Sequence, residues 1–228
     1  MISCSAEISK DVNELISKLS QECLKQNKHF TIAYSGGSLP LILSKEFHHE
    51  NTSHWRVFYA DERCVALDST DSNHHTCASQ NIVKGQVFTI DPSLNPKEAA
   101  KDYTQKMKSV FSSHSWPDFD LILLGMGPDG HTCSLFPNHP LLNADKEWIE
   151  AITDSPKPPS SRITFTFPVL NHAKNVAIVT TGSGKADVLH RILDLKEDFP
   201  VGRVQPIHGN LYWFLDADAA SKLQSVMQ

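Results

Sequence analysis

The sequence predicts an α/β fold of three layers, with helices on both faces of a mostly parallel, twisted sheet. Short runs with strand character alternate with helix-patterned segments from end to end, the rhythm of a parallel sheet covered on both faces. No internal repeat or low-complexity tract interrupts that rhythm. The 228 residues are 40% hydrophobic and 21% charged, ample material for a core at the size of one large domain. One domain spanning residues 1–228 is therefore expected.

The elements follow in order. Ile8, Val12, Leu15, Ile16, Leu19, Cys23 and Leu24 recur at three- and four-residue steps, which predicts an amphipathic helix over 8–24. FTIAY (30–34) reads as a strand, SGGS (35–38) as a tight turn, and 40–48 as a helix with Pro40 in its first turn. WRVFYA (55–60) is a second strand ending in Asp61-Glu62-Arg63, and QVFTI (86–90) a short third. Pro96 opens a helix whose Ala99, Ala100, Tyr103, Met107 and Val110 share one face. DLILL (120–124) is a strand that breaks off into a glycine-rich loop. WIEAI (148–152) reads as a weaker strand and 155–161 as a loop, after which ITFTF (163–167) and VAIVTT (176–181) continue the βα rhythm. Ser183 is placed as the cap of a helix through Leu195. LYWFL (211–215) is the final strand, followed by a helix over 216–227.

Composition excludes several function classes. A formal net charge of −5 argues against nucleic acid or an anionic membrane as the main partner, while a locally basic pocket for a small anion stays compatible with it. The segment MISCSAEISKDVNEL has neither the basic start nor the apolar core of a signal peptide, and no apolar run approaches the ~20 residues of a membrane span. Cys4, Cys23, Cys64, Cys77 and Cys133 form no CxxC pair, so free thiols in a reducing cytoplasm are expected. Asn51-Thr52-Ser53 matches a glycosylation acceptor that has no meaning without secretion.

The chemistry gathers in four loops, at 35–38, 61–63, 125–132 and 182–185, each of which follows a predicted strand. Strand C-termini of a parallel sheet share one edge, so these loops can converge on one cleft. The loop after DLILL carries Asp129 and His131 among glycines, and histidine is the side chain whose free pKa lies near neutrality. Gly36-Gly37-Ser38 can bring backbone N–H groups close to an anion, or can be an ordinary βα turn. Lys185 near a helix start is placed to meet phosphate or to remain solvated, and Arg162 suits bidentate phosphate contact or a plain surface role. Asp61 and Arg63 belong to the site or form a structural ion pair.

Other matches fail on inspection. TGSGKAD lacks the P-loop glycine, because Val179 stands there, and the Ser or Thr, because Ala186 does. Gly125-Met126-Gly127-Pro128-Asp129-Gly130 fits GxGxxG, yet His131 and then Pro137 follow where an apolar helix should open. His74, His75 and Cys77 have no second ligand group at zinc-like spacing, so no metal is expected.

The motifs YSGGS, DERCV, DLILLGMGPDGHTCSLFPNHPLL, DSPKPPSSRITFTFPVLN, TGSGKADVL and VQPIHGNLYWFLD span nearly the whole chain. In them the sequence resembles the glucosamine-6-phosphate isomerase/6-phosphogluconolactonase family, on its lactonase side and with the look of the animal-type members. GMGPDGHTCSLFP carries most of the specificity. The resemblance implies a Rossmann-like, NagB/RpiA-like α/β/α domain and hydrolysis of 6-phospho-D-glucono-1,5-lactone with no cofactor and no metal. It implies His131 as the general base, with Asp129 and Arg63 in the same catalytic site. Gly36, Gly37, Ser38, Asp61, Thr132, Arg162 and Lys185 are then the substrate- and phosphate-binding set. A small sugar-phosphate lactone is the implied partner, handled in the cytoplasm by a monomer or weak homodimer. Leu39-Pro40 stands where bacterial members usually have Thr-Pro, and Ala66 where many have proline; neither change removes a group with an assigned role. Two rivals remain: a sugar-phosphate deaminase or isomerase, whose loop typically reads DGHIAFNEP where this chain has Leu135-Phe136 before Pro137, and a non-catalytic sugar-phosphate sensor.

Overall fold

The computed structural model describes residues 1–111 and 115–224. The chain runs β1 (Ile2–Cys4), α1 (Ile8–Lys25), β2 (Phe30–Tyr34), α2 (Leu39–Ser44), β3 (Trp55–Tyr59) and β4 (Asp61–Arg63). It continues through α3 (Asn73–Ser79), β5 (Gln86–Val87), α4 (Pro96–Lys108), β6 (Leu121–Gly125), β7 (Ile149–Ile152) and β8 (Arg162–Phe165). Then come α5 (Phe167–His172), β9 (Asn175–Thr180), α6 (Ala186–Leu193), β10 (Asn210–Leu215) and α7 (Ala217–Ala220), with 3-10 turns at Pro140–Asn143, Ser183–Lys185 and Pro200–Arg203.

Strands β2, β6 and β9 are buried almost residue for residue, because helices cover both faces of the sheet they build. The sheet has the order β1-β10-β9-β6-β2-β3-β5, and every pairing in it is parallel. Alternate residues feed two cores. Phe30, Ile32, Val57, Leu121 and Leu123 pack with α1, α2 and α3 on one side. Ala33, Phe58, Ile122, Leu124 and Ile178 pack with α4, α5, α6 and α7 on the other. The expected helix–sheet–helix layering is thus present. After β2 the chain moves outward to β3 and β5, and β6 then returns to the opposite side of β2. The order reverses between β2 and β6, and a crevice opens there at the strands' C-terminal ends.

Several expected elements need correction. β7 and β8 do not extend the main sheet; β8 pairs antiparallel with β7 on one side and with β4 on the other. The segment 153–161 between them is too short for a helical crossover, and antiparallel pairing is what a short connection permits. Phe167, expected to end a strand, opens α5 with Pro168 behind it, and α2 stops at Ser44 rather than reaching residue 48. Only Gln86–Val87 of the expected strand 86–90 pairs. α7 spans Ala217–Ala220 where a helix over 216–227 was expected; residues 225–227 of that expectation lie outside the described residues.

At the N-terminal rim of the sheet Asp120 joins three neighbouring strands. Its Oδ2 accepts from Thr31 N (2.9 Å) and Thr31 Oγ1 (2.8 Å), and its Oδ1 accepts from Lys174 Nζ (2.8 Å). Asn175 Nδ2 donates to the Asp120 carbonyl at 2.9 Å.

Candidate active site

The loops that follow β2 and β6 flank the reversal point, and hydrogen bonds fix them to each other. Ser35 Oγ accepts from Gly125 N at 2.9 Å, joining the SGGS turn to the end of β6. Gly127 N donates to the His131 carbonyl (2.9 Å) and Gly130 N to the Gly127 carbonyl (3.0 Å), which folds residues 127–131 into a tight loop. Thr132 Oγ1 donates to the Gly125 carbonyl at 2.9 Å, so its hydroxyl holds the loop's base.

These loops enclose a cleft of about 200 Å³ lined by Ser35, Gly36, Gly37, Ser38, Asp61, Arg63, Gly125, Met126, Gly127, His131, Thr132, Cys133, Arg162 and Lys185. Every residue expected at the site is on that wall except Asp129, which stands behind His131. Larger grooves exist, such as one of about 440 Å³ along α1, but Lys10, Glu14, Lys18 and similar surface residues line it without glycine loops.

His131 Nδ1 donates to Asp129 Oδ1 at 2.5 Å, which assigns the ring proton to Nδ1 and leaves Nε2 to accept. The other tautomer would set a lone pair against a carboxylate. Burial lowers the His131 pKa from its ordinary value and outweighs the opposing pull of Asp129. Asp129 is lowered as well, but by the opposite balance of causes. Burial works to raise its carboxyl, but the hydrogen bond and charge of His131, with the charge of Lys157, hold it below the ordinary range. A neutral imidazole next to an ionised carboxylate is the arrangement a general base requires.

Two glycines are needed because other groups occupy the space of a side chain. A Cβ on Gly127 would lie 2.0 Å from both Cε1 and Nδ1 of His131, so the imidazole rests directly on that backbone. A Cβ on Gly36 would lie 1.9 Å from Asn73 Oδ1. Asn73 in turn donates to the Asp61 carbonyl (2.8 Å) and to Asp61 Oδ1 (3.2 Å), while Ser134 Oγ donates to Asp61 Oδ2 at 2.8 Å. Asp61 therefore ties β4 to the histidine loop.

The possible ion pair of Asp61 with Arg63 is not formed. Arg63 Nη1 donates to the Asp71 carbonyl at 2.8 Å, and its buried Nε has no partner among the described residues. Glu62 is turned away from the cleft: its carboxylate accepts from the backbone of Arg63, Asn73 and His74 and from Ser72 Oγ, organising the start of α3. His74 Nδ1 meets the Tyr59 hydroxyl at 2.8 Å, and Cys77 is buried in the core.

The cationic wall comes from three separate segments. Lys185 ends the 3-10 turn Ser183–Lys185 ahead of α6, and Ser183, expected to cap the helix, makes no side-chain capping bond. Burial, then the like charge of Lys157, lowers the Lys185 pKa, so an incoming anion relieves an unfavourable environment. Gly182 N is held by both oxygens of Asp216 at 3.0 Å, which fixes this turn against the start of α7. Arg162 is only 3% exposed. Its Nε donates to the Pro159 carbonyl (2.9 Å) and its Nη2 to those of Lys157 (2.9 Å) and Pro158 (3.1 Å), while Nη1 lies 3.4 Å from Ser134 Oγ. Four cations, Arg63, Lys157, Arg162 and Lys185, thus surround the site in a chain of net charge −5.

Lys157 is a residue at this site that sequence reasoning missed. Its Nζ donates to Asp129 Oδ1 at 3.3 Å and lies 3.2 Å from His131 Nδ1. The segment 155–161 reads as a proline-rich connector, and a single lysine there signals nothing locally. Only its inclusion in the motif DSPKPPSSRITFTF marks it.

Known proteins resemble this chain in sequence and fold. The family model described as glucosamine-6-phosphate isomerases/6-phosphogluconolactonase matches residues 3–213. The 6-phosphogluconolactonase of Rattus norvegicus is 41% identical over 240 residues, covering 99% of this chain and 93% of the rat protein. That of Homo sapiens is 42% identical over 241 residues, with 99% and 93% covered. Among solved structures, the 6-phosphogluconolactonase from Trypanosoma cruzi superposes with a TM-score of 0.86 at 26% identity, over 98% of this chain and 96% of that one. A family match over most of the sequence, relatives above two-fifths identity and a shared architecture agree, and the chain belongs to the glucosamine-6-phosphate isomerase/6-phosphogluconolactonase family.

Proposed function

We propose that the chain hydrolyses 6-phospho-D-glucono-1,5-lactone to 6-phospho-D-gluconate, the lactonase step of the oxidative pentose phosphate pathway. The observation that carries this reading is the single cleft in which a carboxylate-oriented imidazole faces glycine loops and cations contributed by distant segments. Water adds to the C1 carbonyl of the ring ester while His131 Nε2 takes its proton. The tetrahedral intermediate then expels the ring oxygen, which recovers a proton from the imidazolium. Asp129 holds the tautomer throughout. The amides of Gly36 and Gly37, the Ser38 hydroxyl and Lys185 receive the phosphate, and Arg63, whose buried Nε has no partner among the described residues, supplies a further donor to bound substrate. Arg162 contributes charge from the wall. Fixing the far end of the sugar turns remote binding energy into orientation at C1.

Purified protein is expected to accelerate lactone opening well above the spontaneous rate and to release no ammonia from glucosamine 6-phosphate. Ammonia release without lactone hydrolysis would assign it to the isomerase branch, and neither activity would leave a binding protein. Lys185→Ala is expected to raise KM about tenfold or more, the worth of one charge-assisted hydrogen bond, and to lower kcat much less. Steady-state kinetics on phosphorylated and unphosphorylated lactone check this, and equal KM values for the two in the native protein would dispose of the phosphate pocket. Among the described residues no helix is long and apolar enough to cross a membrane. The five cysteines are unpaired, which supports a reducing cytoplasm as the place of action.

A further inference from the structure

We propose that Lys157 is a positioning residue for His131, its ammonium clamping the Asp129 carboxylate so that one oxygen is presented to Nδ1 and the ring turns Nε2 to the cleft. The inference rests on the reading of His131 as the base. Three atoms form a compact triangle: His131 Nδ1 to Asp129 Oδ1 at 2.5 Å, Lys157 Nζ to the same oxygen at 3.3 Å, and Nζ to Nδ1 at 3.2 Å. An ammonium has only donors, and Nδ1 already carries a proton, so the carboxylate is the sole group the two can share. Lys157 does not line the cleft itself, so it acts through the pair in front of it.

The surroundings fix Lys157 in this role. It sits on the connector between β7 and β8, whose carbonyls at 157, 158 and 159 all accept from the Arg162 guanidinium. Ser155 Oγ also donates to the Lys157 carbonyl at 2.9 Å. Most of Arg162's donors are spent on pinning this loop, which explains why an arginine on the cleft wall is almost fully buried. The Phe136 ring packs against the imidazole, its centroid 4.8 Å away, and lies beneath both Lys157 Nζ (6.0 Å) and the Arg162 guanidinium (5.7 Å). The histidine is thereby confined between that ring and the bare backbone of Gly127.

A cation at this place has a second consequence. An aspartate paired with histidine alone would stabilise the imidazolium and make the base hold its proton. Lys157 takes part of that carboxylate and repels the imidazolium directly. Asp129 and, farther off, Asp61 of β4 favour the protonated ring, whereas burial and Lys157 oppose it. Lys185, from the turn after β9, and Arg63 and Arg162 complete the charged groups around the cleft.

The test is the pH profile of kcat/KM in Lys157→Met. Loss of the cation should let His131 keep its proton to higher pH, so the acid limb moves upward and activity falls most on the acid side. Lys157→Arg should hold the limb near its native position. In parallel, the His131 ring resonance, identified by its absence in His131→Ala, should titrate at higher pH in Lys157→Met than in the native protein. A limb and a resonance that stay in place, or move down, overturn the proposal, as does an equal displacement in Lys157→Arg. His131→Ala separates the two readings. If that variant keeps native turnover, the base assignment itself fails; if it is inactive while the Lys157→Met limb is unmoved, only the role of Lys157 is lost.

Discussion

Replacing His131 by alanine is expected to lower kcat by about 10²–10⁴-fold, the usual worth of one placed acid–base group, while 6-phosphogluconate still binds. The two effects separate because the imidazole stands at the glycine-loop end of β6, whereas the residues proposed to hold phosphate come from the loops after β2 and β9. Calorimetric titration with the product and turnover measured against the spontaneous rate give both numbers. Native turnover in the folded variant would remove His131 from the mechanism. The native pH profile carries a sign as well. The base is active only when neutral, so kcat/KM declines as pH falls through the His131 pKa, and burial sets that decline below the range of an ordinary histidine.

Gly127→Ala is expected to be nearly as damaging without altering any reacting group. The added methyl would stand 2.0 Å from two atoms of the His131 ring and 2.6 Å from Asp129 Oδ1. Both side chains are held from the other side. His131 is backed by Phe136, and Asp129 is held by Lys157. A misplacement of about 1 Å at a catalytic group can cost on the order of 10²-fold in rate, and a loss of that size in kcat is the expected result. Overpacking costs about 1–3 kcal/mol, so the variant should still fold, with a lowered melting temperature. A folded Gly127→Ala protein with native kcat would mean that the imidazole works from another position than the one described.

How much of this was legible in the sequence depended on where each element's stability comes from. FTIAY, WRVFY, LILLG and NVAIVT are buried on both faces, so their own composition marks them as central strands. DER at 61–63 carries three charges and becomes a strand only because β8, a hundred residues later, pairs with it. NHHTCAS has no apolar period, and α3 starts where the Ser72 and Glu62 side chains take up its first amides. The site residues were legible for a different reason. Loops that follow parallel strands must share an edge, so the convergence of SGGS, GMGPDGHT and TGSGK followed from topology alone. Lys157 escaped that logic because its loop joins two antiparallel strands of the smaller sheet, whose placement over the crevice no local pattern announces.

Asp120 stands at the far rim from all of this chemistry, gripping Thr31, Lys174 and Asn175 across adjacent strands. Since a parallel strand is a stiff rod, pinning its foot sets the height of its tip. The reach from histidine to lysine across the mouth is therefore gauged some five residues below, at the opposite end of the strands. Robustness and affinity occupy opposite poles of the same rods, so a change at the foot is felt at the tip.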